Sequence, residues 1–377
     1  MKTQHHSDGF TLVEVLVAGS IVVVIMGVLL AMTDQTQRLV KATSSKVEQF
    51  QEARVAFESM TRRLSQATLN TFWDYQYAPN SGIPIGYQRT AELRFHSGTT
   101  KDLNQSGGPA GEPQPGHCVF FQAPLGMVDD TKKLGSLDHL MNTWGYFLEI
   151  GSDSASFPSF LQNVVTPRKR YRLMEFMEPS ERLSVYASQG DINNTAWFNK
   201  SIHQSAATRP ARVLAENIVA LVILPRLSLA DEKRISTTTP PILAPNYKYD
   251  STITPATTTN SKNPNDLSAT LLDSHNQLPP VVQVIMVAID EPSARRFEDL
   301  YCTDPYLGIS TNPDAFGNKL FTDPASLNDT ATGRIGDITK IQNLLSSSSK
   351  PNIRASYRVF SSNVTIKGAK WSLHTAH

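Results

Sequence analysis

The sequence is short of cysteine and has no surplus of charge of either sign. Its 377 residues include two cysteines, 35 lysines and arginines, and 34 aspartates and glutamates, for a formal net charge of +1. A near-neutral chain has no general electrostatic attraction to nucleic acid, so we expect no nucleic-acid partner. Two cysteines are too few for a disulfide scaffold, and spacing alone cannot bring Cys118 and Cys302 together. We interpret them as separate buried thiols, with a disulfide as the alternative.

Motifs of common enzyme classes are also missing. The sequence contains no P-loop, no dinucleotide-binding glycine pattern, no H-E-x-x-H and no G-x-S-x-G. His117 stands beside Cys118, but no second cysteine or histidine follows at a metal-ligand spacing. Four aspartates in the loop-rich region 301–349 do not match an EF-hand: Asp304, Asp314, Asp323 and Asp329. We therefore expect that the protein is not an enzyme and binds no cofactor, with a bound calcium ion as the alternative.

The chain does have one long hydrophobic run near its N-terminus. Residues 10–32 contain one ionisable side chain, Glu14. As a helix this run would extend about 34 Å, enough to cross a hydrocarbon core of about 30 Å. An ionised carboxylate within it costs about 2.5–3.5 kcal/mol on insertion scales, so Glu14 needs a partner or a function.

An amphipathic helix is predicted to continue the hydrophobic run. Apolar residues recur every three or four positions up to residue 69, at Val40, Val47, Phe50, Phe57, Met60, Leu64 and Ala67. We predict one helix over residues 10–69, with a transmembrane half at 10–32 and an amphipathic half at 33–69. The phenylalanines favour packing against a sheet over the alternative of a coiled coil. Arg62 and Arg63 are interpreted as a solvated helix end.

Residues 70–377 are predicted to form a β-rich globular head, so the fold class is α+β. The predicted strands are 91–96, 118–121, 146–150, 171–177, 218–224, 281–289 and 357–366, and short helices are predicted at 137–143 and 293–300. Residues 218–224 and 281–289 are apolar on both faces, and we expect them to pair. The last strand is expected at an edge of the sheet, and His96 at the end of its strand.

Other stretches of the head are predicted to be loops or core. Residues 228–280 are rich in Thr, Ser, Pro and Asn, which predicts a long exposed insertion, with a linker between two domains as the alternative. The aromatic cluster of Phe72, Trp73, Tyr75 and Tyr77 directly follows the helix and is predicted to plug the core beneath the sheet, with a stacking platform for carbohydrate or nucleic acid as the alternative. The basic residues 168–170 are interpreted as a solvated turn.

The residues Gly9-Phe10-Thr11-Leu12-Val13-Glu14 resemble the cleavage and methylation motif of type IV prepilins and type II secretion pseudopilins. The resemblance implies that residues 1–9 are a leader peptide, that prepilin peptidase cleaves after Gly9, and that Phe10 is N-methylated. It also implies that Glu14 pairs with the N-terminal amine of a neighbouring subunit. The expected fold is pilin-like, with the long helix packed on an antiparallel sheet.

Further resemblances narrow the expectation. Residues 51–67 resemble the minor pseudopilin J, and the insertion pattern resembles the Verru_Chthon cassette protein C family. The resemblance implies other pilin or pseudopilin subunits and an inner-membrane assembly platform as partners. It places the chain in a bacterial inner membrane as a single-pass protein with a periplasmic head, and after assembly in a filament. The large head suggests a minor or tip subunit.

Two other interpretations remain. A cleaved secretory signal would have a shorter apolar run followed by a small-residue cleavage site, and neither is present. An ordinary membrane anchor fits the length of the run but does not explain the motif at residues 9–14. In that alternative the head would be a periplasmic or extracellular ectodomain that binds, or less plausibly hydrolyses, a ligand.

Overall fold

A long N-terminal helix and antiparallel sheets make up an α+β structure. The computed structural model describes residues 11–78, 81–100, 114–156, 158, 160, 164–187, 195–204, 208–235, 242–252, 274–303, 321, 324–327, 336–347 and 354–371. The chain divides into two compact units, one up to Gln49 and the other from Phe50 onward, and each is described by itself below.

Seven α-helices lie within the described residues. They are α1 (Leu12–Leu64), α2 (Thr131–Leu134), α3 (Ser184–Ala187), α4 (Ala196–Ile202), α5 (Leu229–Ile235), α6 (Glu291–Thr303) and α7 (Asp337–Ser346). Short 3-10 turns occur at Asp153–Ser156, Ser180–Arg182, Pro245–Tyr247 and Pro324–Ser326. Helix α6 confirms the helix predicted at 293–300 and extends beyond it at both ends.

The described strands form three antiparallel sheets. In chain order they are β1 (Phe72–Tyr77), β2 (Pro84–Thr90), β3 (Phe95–Thr99), β4 (His117–Pro124), β5 (Met141–Ser152), β6 (Lys169–Glu178), β7 (Ala211–Glu216), β8 (Ile218–Arg226), β9 (Tyr249–Asp250), β10 (Val281–Ile289) and β11 (Tyr357–Thr365). Strands β1 and β2 form a hairpin, β11-β10-β8 a three-stranded sheet, and β7-β6-β5-β4-β3-β9 a six-stranded sheet.

The pairing of the two most apolar strands is as predicted. Strand β10 pairs antiparallel with β8, with Val284 opposite Ile223, and both strands are almost entirely buried. Strand β11 pairs with the other side of β10 and forms an edge of this sheet, which confirms the prediction for residues 357–366. Asn217 separates β7 from β8 with a φ of 61°, a left-handed conformation that asparagine tolerates better than most residues.

Helix α1 ends earlier than predicted, at Leu64 and not at Leu69. Backbone groups just beyond its end bond to other parts of the head. The Ser65 carbonyl accepts from the Lys367 N–H at 2.9 Å, and the Thr68 N–H donates to the Gln122 carbonyl at 2.9 Å. These bonds turn the chain toward β4 and the C-terminal segment before the apolar spacing runs out.

The amphipathic part of α1 packs on the sheets. Within the second unit its buried residues are Ala53, Ala56, Phe57, Met60 and Leu64, at the three-and-four spacing expected for one helical face. They share a core cluster with residues of β4, β5, β8 and β10, and the Phe57 and Phe360 rings lie 5.8 Å apart. The stripe therefore packs against sheets, as its phenylalanine content predicted.

Alternation along the strands divides the remaining core between two faces. In β4, Val119 and Phe121 join the cluster beneath α1, whereas Phe120 points to the opposite face. There it stacks on Phe198 of α4, with ring centroids 4.0 Å apart, next to Trp197. A third cluster lies between the β8–β10 pair and helices α6 and α7.

Two local predictions are wrong because of hydrogen bonds to distant parts of the chain, which periodicity does not show. Residues 91–94 do not join a strand: the Asn70 side-chain oxygen accepts from the N–H groups of Glu92 and Leu93, and Gln122 accepts from Arg94. Strand β3 therefore begins at Phe95, and His96 is its second residue rather than its end. The helix predicted at 137–143 is absent, since Met141–Thr143 already pair with β4 or β6 as part of β5.

The prediction of a single exposed insertion over residues 228–280 is wrong for two of its parts. Leu243, Tyr247 and Tyr249 are buried in the main core, and β9 adds a short edge to the six-stranded sheet beside β3. Leu278 is also buried just before β10. A few apolar residues within this polar stretch are sufficient to attach parts of it to the core. The composition of the whole stretch did not indicate that these parts are buried. Residues 253–273 lie outside the described residues.

The core-plug prediction for the aromatic cluster is also wrong. Phe72, Trp73, Tyr75 and Tyr77 form β1 of the hairpin, and all four side chains are exposed. Side chains of α1 and α4 pack on the two faces of the six-stranded sheet instead and occupy the place predicted for this cluster. The alternative of an exposed platform is the one that matches their position.

Candidate functional site

The apolar part of α1 is the first feature with a functional implication. Among the described residues, Leu12–Val40 is one stretch of 29 residues that is long and apolar enough to cross a membrane, and an 18-residue window within it has a mean hydropathy of 2.9. Its large apolar side chains, such as Val23 and Leu30, are exposed within the chain. Such a surface is unstable in water and needs a lipid or protein environment.

Glu14 caps the first turn of this helix. Its carboxylate accepts hydrogen bonds from the Thr11 backbone N–H at 3.0 Å and from the Thr11 hydroxyl at 2.9 Å. The Thr11 hydroxyl in turn accepts from the Glu14 N–H at 3.4 Å. This reciprocal arrangement is a capping box, and the spacing Thr-x-x-Glu in the sequence was a signal for it that our sequence interpretation missed. Glu14 therefore has a local partner within its own chain.

The other predicted processing residues, Gly9 and Phe10, lie outside the described residues. Cleavage after Gly9 and methylation of Phe10 remain predictions from the sequence motif. Thr11 is the first described residue, and it immediately follows them.

A buried carboxylate holds the end of α1 to the six-stranded sheet. Glu175 of β6 has no exposed side-chain surface and is paired with the Arg63 guanidinium. It also accepts from Trp144 Nε1 at 3.0 Å, from the Tyr146 hydroxyl at 3.1 Å and from Arg212 Nε at 2.8 Å. The interpretation of Arg63 as solvated is therefore wrong, whereas Arg62 is exposed as predicted.

Arg63 makes a second contact that explains its position. Its guanidinium lies over the Trp144 ring, 4.7 Å from the ring centroid, which is a favourable cation–π geometry. Burial raises the pKa of the nearby Tyr146 hydroxyl, and the negative charge of Glu175 adds to this rise. Tyr146 therefore remains a neutral donor to Glu175. The network joins three strands to the helix through one fully bonded carboxylate.

The basic cluster at residues 168–170 is only partly a solvated turn. Arg170 is buried and pairs with Glu298 at 2.8 Å and with Glu291 at 3.1 Å, both on α6. Arg168 is partly exposed and binds Asp153 at 3.0 Å. This cluster attaches α6 to β6, which is a structural role and not a binding patch.

The histidine and cysteine candidates lie within the core. His117 Nδ1 accepts from the Ile223 N–H at 3.2 Å, and Cys118 packs among the aromatic residues beneath α4. Within the described part of the chain, no group of three or more His, Cys, Asp or Glu residues could hold a metal ion. The side chain of Cys302 and the four aspartates considered for calcium lie outside what is described, so the choice between separate thiols and a disulfide is untested, as is the calcium alternative.

His96 is a buried histidine whose protonated form the fold disfavours. Burial lowers its pKa, the Asp250 carboxylate at 3.2 Å partly opposes this, and Arg94 and Lys248 add to the lowering. The folded protein therefore holds His96 neutral, while in the unfolded chain it protonates below a pH of about 6.5. As the pH falls below that value, the unfolded state binds more protons and His96 makes the protein less stable.

We predict that His96→Gln reduces the loss of stability between about pH 7 and pH 5, since each pH unit can cost up to about 1.4 kcal/mol per such group. Thermal unfolding of the full-length protein at several pH values measures this slope. His139→Gln, at an exposed histidine, is the matched control and should keep the wild-type slope. An unchanged slope in His96→Gln would show that His96 does not titrate differently in the folded state.

The chain matches no protein-family model, and it shows no significant similarity to a curated protein or to a solved structure.

Proposed function

We propose that this protein is a structural subunit of a filament, a minor pilin or pseudopilin that prepilin peptidase processes after Gly9. The observation that carries the proposal is the composition of α1. One helix contains both the apolar segment Leu12–Val40 and, from Ala53 onward, a face that belongs to the core of the head. A helix of this kind can span a membrane before assembly and pack in a bundle of apolar helices afterwards.

The motif at residues 9–14 supports the same proposal. It lies at the polar-to-apolar boundary of the sequence, and its last three residues form the start of α1. In the proposed filament, Glu14 exchanges its local bonds with Thr11 for the N-terminal amine of a neighbouring subunit. A cation close to the carboxylate would make its burial in a helix bundle tolerable. The type IV pilus-like and type II secretion filaments are both compatible with these features.

The second candidate function is a membrane-anchored binding ectodomain. The exposed aromatic residues of the β1–β2 hairpin favour it, because such surfaces commonly mark interaction sites. An anchor of this kind would not need cleavage at Gly9. The two candidates therefore differ in the chemistry of the N-terminus.

Mass spectrometry of the protein from its native host tests the proposal. We expect a mature chain that begins with N-methyl-Phe10 and lacks residues 1–9. A Gly9→Leu variant should retain residues 1–9, because it replaces the glycine after which the motif is cleaved, whereas Ser7→Ala, outside the motif, should be processed normally. An intact N-terminus at Met1, or cleavage near residue 32, would contradict the proposal.

A further inference from the structure

The hairpin of β1 and β2 has one aromatic face and one polar face. Cross-strand partners share a face, and the register places Trp73 opposite Arg89 and Tyr75 opposite Tyr87. Tyr77 lies on the same face, two residues beyond Tyr75. The opposite face carries Phe72 paired with Thr90, Asp74 paired with Gln88, and Gln76 paired with Gly86, so Phe72 is its one aromatic residue. This alternation is typical of a strand pair with one covered face.

The aromatic face is open to solvent. The exposed fractions are 62% for Trp73, 47% for Tyr75 and 66% for Tyr87, even though these are among the largest side chains in the protein. The Tyr75 ring lies 5.1 Å from that of Tyr87 and 6.4 Å from that of Tyr77, and the Arg89 guanidinium lies 5.5 Å from the Trp73 ring centroid. The rings hold one another in place, so the surface is formed before any ligand arrives.

A cavity of about 260 Å³ opens at the base of the hairpin, and both Phe72 and Trp73 line it. Trp73 and Arg89 line it from the hairpin, Asn276 and Gln277 from the segment before β10, and Lys370 from the C-terminal segment. Asn276 and Gln277 are buried, and the Asn276 side-chain amide donates to the Arg89 carbonyl at 2.6 Å, which fixes the base of the hairpin. Among the described residues that line the cavity, two are cationic and none is acidic.

We propose that the aromatic face and this cavity bind a carboxylated polysaccharide, a chain that contains uronic acids. The flat C–H faces of pyranose rings stack on Trp and Tyr rings, and tyrosine hydroxyls and amide groups bond sugar hydroxyls. Arg89 and Lys370 supply the charge for one carboxylate in the cavity. The cavity is smaller than the range of about 300–1,000 Å³ usual for drug-sized ligands, so it suits a single sugar unit.

The dimensions favour a glycan over a protein partner. Stable protein interfaces usually involve about 20–30 residues on each side. The two strands contain 6 and 7 residues, and only alternate residues contribute to the aromatic face. A narrow row of rings that ends in a small polar cavity matches an extended chain better than a protein surface. The inference is independent of cleavage at Gly9, and it applies to a filament subunit and to an anchored ectodomain alike.

Isothermal titration calorimetry of the full-length protein in detergent micelles tests the proposal. The probe is oligogalacturonate, and its fully methyl-esterified form is the neutral control. We expect the acid form to bind and the ester to bind about tenfold more weakly or not at all, because it cannot pair with Arg89 and Lys370. Binding of the acid form should weaken with added salt. Equal binding of the two forms, or no binding of either, would overturn the proposal.

Variants separate the two parts of the site. Trp73→Ala and Lys370→Met should each weaken binding about tenfold, through lost stacking and lost charge respectively. Tyr186→Ala, at another exposed tyrosine, and Lys367→Met, at an exposed lysine three residues away, are matched controls that should bind normally. Unfolding temperatures verify that the variants fold. Unchanged binding in Trp73→Ala would overturn the proposal, as would self-association of the wild type that this variant abolishes, since the face would then be a protein contact.

Discussion

Replacing Arg63 with methionine is expected to lower the free energy of unfolding by about 2–4 kcal/mol, whereas the same change at Arg62 should cost about 0.5 kcal/mol or less. The two residues are adjacent at the end of α1, so helix propensity and local charge are matched. They differ in that Arg63 pairs with the buried Glu175 carboxylate. Methionine keeps the aliphatic volume of the side chain and removes only the cation.

The physical reason lies in the position of Glu175. Its side chain has no exposed surface, so an ionised carboxylate there cannot recover by hydration when a cation is removed. Arg212 still binds it at 2.7 Å from a more exposed position, which keeps the expected loss below that of a completely unpaired charge. The contact of the guanidinium with the Trp144 ring is lost as well.

Thermal unfolding of the full-length protein in detergent checks this prediction, and the expected difference between the two variants is about 2–6 °C. Arg63→Met combined with Arg212→Met should cost more than the sum of the single changes, because the second change removes the last cation from the carboxylate. Equal melting temperatures for the Arg62 and Arg63 variants would show that the network contributes nothing to stability.

For strands that are apolar on both faces, both the strands and their pairing could be predicted from the sequence. Residues 218–224 and 281–289 are the two longest runs of this kind in the head, and a strand that is apolar on both faces belongs in a sheet covered on both faces. In the structure β8 and β10 pair along most of their length. The pattern was sufficient because hydrophobic burial determines the position of these strands with little help from specific side-chain bonds.

Periodicity failed where polar side chains determine the backbone. Asn70 and Gln122 accept from three successive N–H groups at residues 92–94, and these bonds delay β3 although the residues alternate like a strand. Likewise, nothing in the neighbouring pair Arg62 and Arg63 shows which one reaches Glu175, more than a hundred residues away. Such contacts depend on the tertiary fold, and a local sequence pattern does not predict them.

The prediction for the aromatic residues of the β1–β2 hairpin was wrong for a different reason. The core plug was predicted because the cluster directly follows the long helix, where large aromatic side chains could fill the space beneath a sheet. The alternation of aromatic and polar residues was nevertheless visible in Trp73-Asp74-Tyr75-Gln76-Tyr77, and it is typical of a strand with one covered face. What sequence could not supply is that the chain itself leaves this face exposed.

Glu14 combines a local role with a proposed role in assembly, and the structure allows the two to be separated. Glu14→Gln keeps a side-chain oxygen that can accept from the Thr11 N–H, so the capping box survives, but it removes the charge. Thr11→Ala does the reverse, because it removes the hydroxyl that accepts from the Glu14 N–H and leaves the carboxylate. Glu14→Leu removes both functions.

We predict that Glu14→Gln and Glu14→Leu abolish incorporation into filaments in the native host, while Thr11→Ala assembles. If the carboxylate pairs with a neighbouring subunit's amine, charge is the property that assembly requires, and loss of the cap costs only about 0.5–2 kcal/mol of helix stability. Glu14→Leu should also insert into the membrane more favourably, by up to about 2.5–3.5 kcal/mol, because before assembly no cation in the membrane compensates the charge of the carboxylate. Immunoblots of sheared filaments and of membranes measure the two quantities. Normal incorporation of Glu14→Gln would contradict the assembly role and leave Glu14 as a helix cap in an ordinary anchor.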